Sequence, residues 1–526
     1  MVAGVAAGSQ PNARRAARGP RAVHYDGGVG KKSRHSANRA GAAARSTAVT
    51  GAPGSGPEDT LERALAELWK SVAAGDVLNA EFETSAFVAM PELTDGSPEQ
   101  TQRLADALIS AASNRPSAEG SEAAAFCRLL MSLGSRSVKR AASQALKDFT
   151  EDGIYPPGWV TSIGKPTLGR AWRQYDVFGE SEVIAVTFTY DNAEHALLVA
   201  IDLAELPTVT LVGMGDNADG MLSTLRDLAP HQRLEEITAD EARRRIEGPL
   251  GQAGDDPDFD LDSSSMVFLP LARSRVRRLP AGDPGPAVAY TAADRAAAVE
   301  EFLRSPDAAD VGDPESARFW ATVLTGYSSR VPDEPPAQVG PHKIGAMLLV
   351  HVADTFTLTD AQRDGMVPAV TAWTRWAAGR QGLDEAAADL LMRRLAETLD
   401  AFPDEYDHPY ATACRGYLRD VATPDVDLAW LADQFARRRF AAPLPGERDP
   451  DTDGIDVTDS RGRAEIAVAE FAECAPGGGA TIRLLTAVPR IVEEIWHDNP
   501  ATTWEKARKL LAEGHDRHDV LHRLAG

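Results

Sequence analysis

The 526 residues are 43% hydrophobic and 25% charged, ordinary values for globular proteins, and the length suits about two to four domains. The net charge of −23 argues against nucleic-acid binding by the body of the chain, because an acidic surface repels phosphates. Three cysteines without a C-x-x-C spacing argue against a disulfide framework or a zinc ribbon. No apolar run approaches the ~18 residues of a membrane span, and the N-terminus lacks a signal-peptide segment, so we predict a cytoplasmic protein.

The first 57 residues form a basic tail. They hold nine Lys and Arg residues against one acidic residue, whereas the remainder of the chain carries a net charge of −31. Gly, Ala, Ser, Arg and Pro dominate the tail without a hydrophobic period, which predicts disorder. A nucleic-acid-binding arm is the functional alternative. The residues from Val29 to Arg34 are typical of a native start, so we hypothesise that residues 1–28 belong to an over-extended reading frame.

Apolar residues at helical spacing predict a helical domain over residues 58–150, with helices near 118–133 and 136–149. A loop rich in Gly and Pro follows. An α+β domain is predicted over residues 151–280, built on an antiparallel sheet of about four strands. The strand-like runs are 169–177, 182–190, 195–203 and 208–214.

Two helices are predicted after these strands, near 219–229 and 239–247, and Gly248 is expected to end the second. Arg273, Arg275 and Arg277 then alternate with other residues. On a strand, this spacing places three guanidinium groups on one side, where they meet a phosphate-bearing or acidic partner or pair with the protein's own carboxylates.

Helical patterns return in a domain over residues 281–440, in which Thr291, Asp313 and Thr359 are predicted to begin helices. Residues 441–460 are interpreted as an acidic linker. Asp449, Asp451 and Asp453 follow the spacing of the first half of a calcium-binding EF-hand loop, but Ser460 stands at the twelfth position, where that loop needs Glu. A C-terminal helical unit is predicted over residues 461–526. The expected fold class is therefore mainly α with an inserted α+β module, in a multidomain chain.

The C-terminal histidines are the densest candidate for a metal site. His515, His518 and His522 follow the spacing H-x2-H-x3-H, and the last two share one face of a predicted helix. Two imidazoles on one helix face are a known arrangement of metal ligands. We expect no cofactor, and a divalent metal bound by these histidines is the alternative. The glutamate of an H-E-x-x-H motif is absent, and packing of the histidines against neighbouring helices is the competing interpretation.

His195 and Asp202 bracket the most apolar predicted strand. A histidine at the end of a strand with carboxylates nearby can support acid–base catalysis, and the same residues also occur at ordinary hairpin ends. These two residues are the weak catalytic candidates of the chain.

The end of the chain carries a recognisable pattern: Trp504, Leu510, Gly514 and then the run from Asp516 to His522. This pattern resembles a helix pair in an uncharacterised actinobacterial protein family of unknown function. The stretch from Val367 to Leu383 is similar to a helix in hypothetical actinobacterial proteins. The resemblance implies kinship, and it implies no activity and no functional residue.

No P-loop, dinucleotide-binding or nucleophile-elbow motif is present in the sequence. We therefore expect a non-enzymatic interaction or regulatory protein that binds a protein partner and no membrane. The alternatives are a metal-dependent hydrolase or nuclease, and a nucleic-acid-associated protein that acts through the basic tail.

Overall fold

A computed structural model describes eight segments of the chain: residues 68–93, 120–191, 193–204, 207–253, 261–282, 289–328, 334–472 and 479–526. The described residues form two compact units, one within residues 68–282 and the other within residues 289–526. The predicted tail of residues 1–57 lies outside the described residues. No helix in the described segments is long and apolar enough to cross a membrane.

The first unit combines helices with a single sheet and is helical from residue 68 to 74. Its further helices are α1 (Val77–Leu93), α2 (Gly120–Leu133), α3 (Arg136–Glu151), α4 (Ala218–Leu225), α5 (Ala239–Gln252), α6 (Ser263–Met266) and α7 (Leu269–Val276). Its strands are β1 (Thr167–Asp176), β2 (Ser181–Tyr190), β3 (Ala193–Asp202), β4 (Thr208–Gly215) and β5 (Gln232–Ile237).

The sheet is antiparallel and has the strand order β4-β3-β2-β1-β5. The first four strands form a meander, and β5 returns to pair with the free edge of β1. The predicted inserted α+β module is confirmed, and its four strand-like runs are strands. The fifth strand was not predicted, because its charged sequence QRLEEI lacks the apolar alternation of a half-buried strand.

Helices cover the two faces of the sheet unequally. On one face Ile184, Val186, Leu197 and Val199 pack in a large core with residues of α1, α5 and α7. On the other face the short helix α4 packs against small residues of β2 and β3. Side chains alternate between faces along each strand, so one strand supplies both cores.

Helix α1 belongs to two cores at once. Leu78 and Phe82 pack against the sheet, whereas Ala80 and Phe87 pack with α2 and α3 in a helical core. The structure therefore joins the described residues of the two stretches 58–150 and 151–280, which the sequence pattern separates, in one compact unit.

Within its described residues, the second unit contains helices joined by turns and loops, and no strand. Its α-helices are α8 (Ala292–Leu303), α9 (Pro306–Ala309), α10 (Pro314–Tyr327), α11 (Pro341–Ala346), α12 (Ala353–Thr355), α13 (Asp360–Gln381), α14 (Glu385–Tyr406), α15 (Pro409–Leu418), α16 (Leu428–Ala441), α17 (Ser460–Ala472), α18 (Gly479–His497), α19 (Ala501–Ala512) and α20 (Arg517–Ala525). A π-helical turn, Met347–Val352, joins α11 to α12. Thr291, Asp313 and Thr359 cap helices as predicted.

The predicted linker of residues 441–460 is packed into the second unit. Leu444 and Val457 are buried in its C-terminal core, and Tyr417 Oη donates a hydrogen bond of 2.7 Å to the carbonyl of Ala442. Asp449 caps a 3₁₀ turn at Pro450–Thr452. This segment therefore contributes apolar side chains to the core despite its acidic composition.

Two local predictions were wrong. The arginines at 273–277 do not alternate on a strand, because residues from Leu269 form the helix α7. Gly248 does not end α5, which continues through Pro249 to Gln252. Leu250 is buried in the sheet core, so tertiary packing outweighs the weak helix propensity of Gly and Pro at this point.

Candidate functional site

His195 lies on β3, on the face of the sheet that α1 and α7 cover. It pairs with Phe188 of β2, and its imidazole lies nearly parallel to the rings of Phe188 and Tyr190. The ring centroids are 5.6 and 5.7 Å away. The side chains at 188 and 190 share one face of β2 because they are two residues apart. His195 is completely buried.

Arg275 of α7 is the cation of this site. Its Nε donates a hydrogen bond of 3.0 Å to His195 Nε2, and its Nη2 lies 2.5 Å from Glu81 Oε2. Neither charged side chain is exposed to solvent. The helical conformation of α7 turns Arg275 inward, whereas Arg277 and Arg278 just beyond it are exposed.

Glu81 of α1 completes the buried cluster, which we define as Glu81, Tyr190, His195 and Arg275. Its Oε1 accepts hydrogen bonds from the backbone N–H of Gly164 at 2.8 Å and from Tyr190 Oη at 3.1 Å. The carboxylate thus meets one guanidinium and two neutral donors. Such partners offset the cost of burying a negative charge.

The buried environment determines the protonation of the cluster. Burial, and second the charge of the Arg275 guanidinium, lower the pKa of the His195 imidazole to about 3. His195 is therefore neutral at physiological pH. Because its Nε2 accepts from Arg275, the proton lies on Nδ1. Burial, followed by the Glu81 carboxylate, raises the pKa of the Tyr190 phenol above its ordinary range.

This arrangement limits what His195 can do chemically. A general base must reach a substrate and gain a proton near the working pH. The lone pair of His195 is already engaged by Arg275, and burial keeps the imidazole neutral. The cluster instead ties α1 and α7 to the sheet. A second contact supports this role, since Ser85 Oγ accepts from the Leu271 N–H and donates to the Val267 carbonyl.

Asp202 lies far from this cluster. It is the last residue of β3, seven residues beyond His195, which corresponds to about 23 Å along an extended strand. Its Oδ1 accepts a hydrogen bond of 2.8 Å from the backbone N–H of Ala204 in the turn after the strand. The structure does not bring the two predicted catalytic residues together.

The C-terminal histidines lie against α17. The rings of His518 and Phe471 are stacked, with centroids 4.2 Å apart and planes inclined by 9°. His522 lies on the same side of α20, and its ring is 6.1 Å from that of His518. His515 precedes the helix and donates its backbone N–H to the Leu510 carbonyl.

The carboxylate of Glu470 lies beside His518. Its Oε1 lies 3.8 Å from His518 Nδ1, and its other oxygen pairs with Arg517. Across the segments that the structure describes, no three His, Cys, Asp or Glu side chains form a group that could hold a metal ion. Aromatic packing is thus what the geometry shows for His518.

Tyr155 projects from the loop between α3 and β1. It is 65% exposed, the largest exposure of any bulky apolar side chain in the described segments. Its backbone is nevertheless held: Ser121 Oγ donates a hydrogen bond of 2.9 Å to its carbonyl, and the preceding N–H, of Ile154, donates to the Phe149 carbonyl at 2.8 Å.

The neighbours of Tyr155 anchor the loop on both sides. Ile154 packs against Gly120, and the indole of Trp159 packs against Gly75, where an added Cβ would approach it to 3.3 Å. An exposed tyrosine is therefore displayed on an ordered backbone. We call Tyr155, Pro156 and Pro157 the Tyr155 segment.

No protein-family model, no curated protein and no solved structure matches this chain. The resemblance to an actinobacterial family therefore remains a prediction.

Sequence reasoning found His195 but not its partners or the Tyr155 segment. Glu81 gave only a weak signal, because it stands near Phe82, Phe87 and Val88 in a helical stretch that also carries Glu83. For Arg275, the expected pairing with one of the protein's own carboxylates is observed at Glu81, but the alternation with Arg273 and Arg277 wrongly indicated a strand. Tyr155 gave no signal, since exposure depends on how the whole loop is anchored.

Proposed function

We propose that the protein is a non-enzymatic interaction protein of the cytoplasm that binds another protein through the surface at Tyr155. The observation that carries the proposal is the display of Tyr155 in the loop between α3 and β1, with its side chain 65% exposed and its backbone hydrogen-bonded. Tyr is among the residues enriched at the energetic centres of protein interfaces.

The rigidity of the loop supports this function. Binding costs less free energy when the contact residues are already ordered, because fewer side chains and backbone torsions lose freedom on association. The anchors at Ile154 and Trp159 supply that order before any partner is present. The phenol also offers an apolar ring and a polar hydroxyl to the same partner.

The buried cluster fits the same interpretation. Its charged groups are directed toward one another and hold α1, α7 and the sheet together, so His195 serves the fold. The metal-dependent alternative rests on the C-terminal histidines, where His518 stacks on Phe471. The nucleic-acid alternative rests on the tail, outside the described residues. Within the segments that the structure describes, no contact favours either alternative.

The test compares the wild-type chain with Tyr155→Ala. Proteins captured from the cells that make this chain are identified, purified and titrated against it by calorimetry. Leu228→Ala is the matched control, because it removes another exposed apolar side chain, 40% exposed, from the same unit. We expect Tyr155→Ala to weaken binding by about 30-fold, as for an interface hot spot, and the control to bind like wild type.

Two results would contradict the proposal. One is a captured partner whose affinity is the same for wild type and Tyr155→Ala. The other is the absence of any purified protein that binds the wild-type chain directly.

A further inference from the structure

The backbone of the Tyr155 segment has a definite conformation. Pro157 has φ −65° and ψ 157°, which are polyproline II values. A residue that precedes proline is restricted to the β and polyproline II regions, and this restriction applies to both Tyr155 and Pro156. Proline also fixes φ of Pro156 near −65°. The three residues are therefore preset for an extended polyproline II turn.

The two ends of this turn are held by packing. Ile154 and Trp159 are partly buried against the core of α1, α2 and α3. Pro157 caps a short 3₁₀ helix, Gly158–Ser162, that leads back into the protein. The chain thus leaves the core at Ile154, exposes the Tyr155 ring with Pro156 and Pro157 half-buried beside it, and returns at Trp159.

The chemistry of the segment is apolar and aromatic. No charged residue occurs between Gly153 and Thr161. Polyproline II segments with these side chains are recognised by grooves lined with aromatic residues, where proline rings stack on aromatic faces and the low entropy of the preset backbone favours binding. An acidic or basic groove would find no complementary charge here.

We propose that the Tyr155 segment is a polyproline II ligand that binds an aromatic-lined groove on a partner protein. This inference rests on the proposed function, and it adds the conformation that the partner recognises. It requires that affinity depend on the two prolines as well as on the tyrosine ring.

The experiment uses the full chain with Tyr155→p-benzoyl-phenylalanine as a photocrosslinking probe. Leu228→p-benzoyl-phenylalanine is the matched control, because it places the same probe at another exposed position of the same unit. Cells that make the protein are lysed and irradiated, and crosslinked peptides are identified by mass spectrometry. The synthetic peptide DGIYPPGWVT, residues 152–161, is added as a competitor, together with a version that carries alanine at both prolines.

We expect a crosslink specific to position 155 that joins a partner peptide rich in aromatic residues. The wild-type peptide should abolish it, and the alanine version should compete about tenfold less well, because alanine loses the preset backbone. Binding of the purified partner to the chain with Pro156→Ala and Pro157→Ala should weaken by a similar factor.

The outcomes separate the two proposals. A crosslink that both peptides compete equally, or that neither competes, overturns polyproline II recognition and leaves the interaction at Tyr155 intact. Absence of any crosslink specific to position 155 overturns the interaction itself. The peptide competition uses the chain with both prolines present, so it decides the question even if the proline variants fold poorly.

Discussion

Replacing Arg275 by methionine tests whether the buried cluster stabilises the first unit. Methionine keeps much of the length and volume of the side chain but removes the guanidinium. Glu81 then keeps the hydrogen bonds from Gly164 and Tyr190 and loses its only charged partner in the cluster. Breaking a buried ion pair on one side costs about 3–5 kcal/mol, because an uncompensated charge remains buried.

A double variant separates charge from shape. When Glu81→Gln is combined with Arg275→Met, the amide oxygen introduced at position 81 still accepts from Gly164 and Tyr190, but no carboxylate is left without a counter-charge. We expect this double variant to be more stable than Arg275→Met alone by at least about 1 kcal/mol. If Arg275 contributed only packing, the double variant would instead be less stable than Arg275→Met alone.

Hydrogen exchange with mass spectrometry is the assay, because it reports on each unit of the full chain separately. The free energy of opening is measured on peptides from β2 and β3, with peptides from α18 as an internal reference. Arg170→Met is the control: Arg170 pairs with Glu236 on the surface, so its loss should change little.

The reasoning fails if Arg275→Met changes protection of β2 and β3 no more than Arg170→Met does. It also fails if the double variant is less stable than Arg275→Met by the full cost of a second deletion.

Three further predictions concern other parts of the chain. His195 gains a proton near pH 6.5 when the chain is unfolded and near pH 3 when it is folded, so the unfolded chain binds more protons between these pH values. The free energy of unfolding should therefore fall by up to about 5 kcal/mol as the pH drops from 6.5 to 3. Unfolding measured at several pH values should show this dependence for the wild type but not for His195→Phe, and an equal slope for both would contradict the prediction. In thermal unfolding, Leu444→Ala should lower the free energy of unfolding by about 2–5 kcal/mol because Leu444 is fully buried, whereas Asp451→Ala, at an exposed position, should change it little. Equal effects of the two substitutions would indicate that residues 441–460 are a linker after all. Burial raises the pKa of the Cys127 and Cys414 thiols to about 12, so in a Cys474→Ser background Ellman's reagent should label neither until the protein unfolds, and rapid labelling of the native chain would refute their burial.

The fold was predictable where local patterns agree with tertiary burial. Four of the five strands and the capped helices after Thr291, Asp313 and Thr359 were found, because their sequence patterns agree with the structure that forms. Strand β5 was missed because it is a charged edge strand, with Glu235 paired to Arg173 rather than packed in a core.

The candidate site could be predicted only in part, and the reason is long-range placement. His195 was recognisable from its position on an apolar strand. Its partners come from α1 and α7, 114 residues before it and 80 residues after it, and no local spacing relates such positions. Arg275 showed this most clearly, because its spacing indicated a strand while the packing of Leu271 and Ala272 selects a helix.

The residues that face solvent in this protein differ from those that its sequence patterns single out. Sequence patterns direct attention to histidines and carboxylates, yet in this protein His195 and Glu81 are directed inward, where His195 Nε2 accepts from Arg275 and the Glu81 carboxylate accepts from Arg275 and Tyr190. What faces solvent on an ordered backbone is an uncharged aromatic segment that carries no catalytic signature. A residue type indicates what chemistry is possible, whereas exposure and anchoring decide whether a partner can reach it, so Tyr155 is a stronger functional candidate than His195.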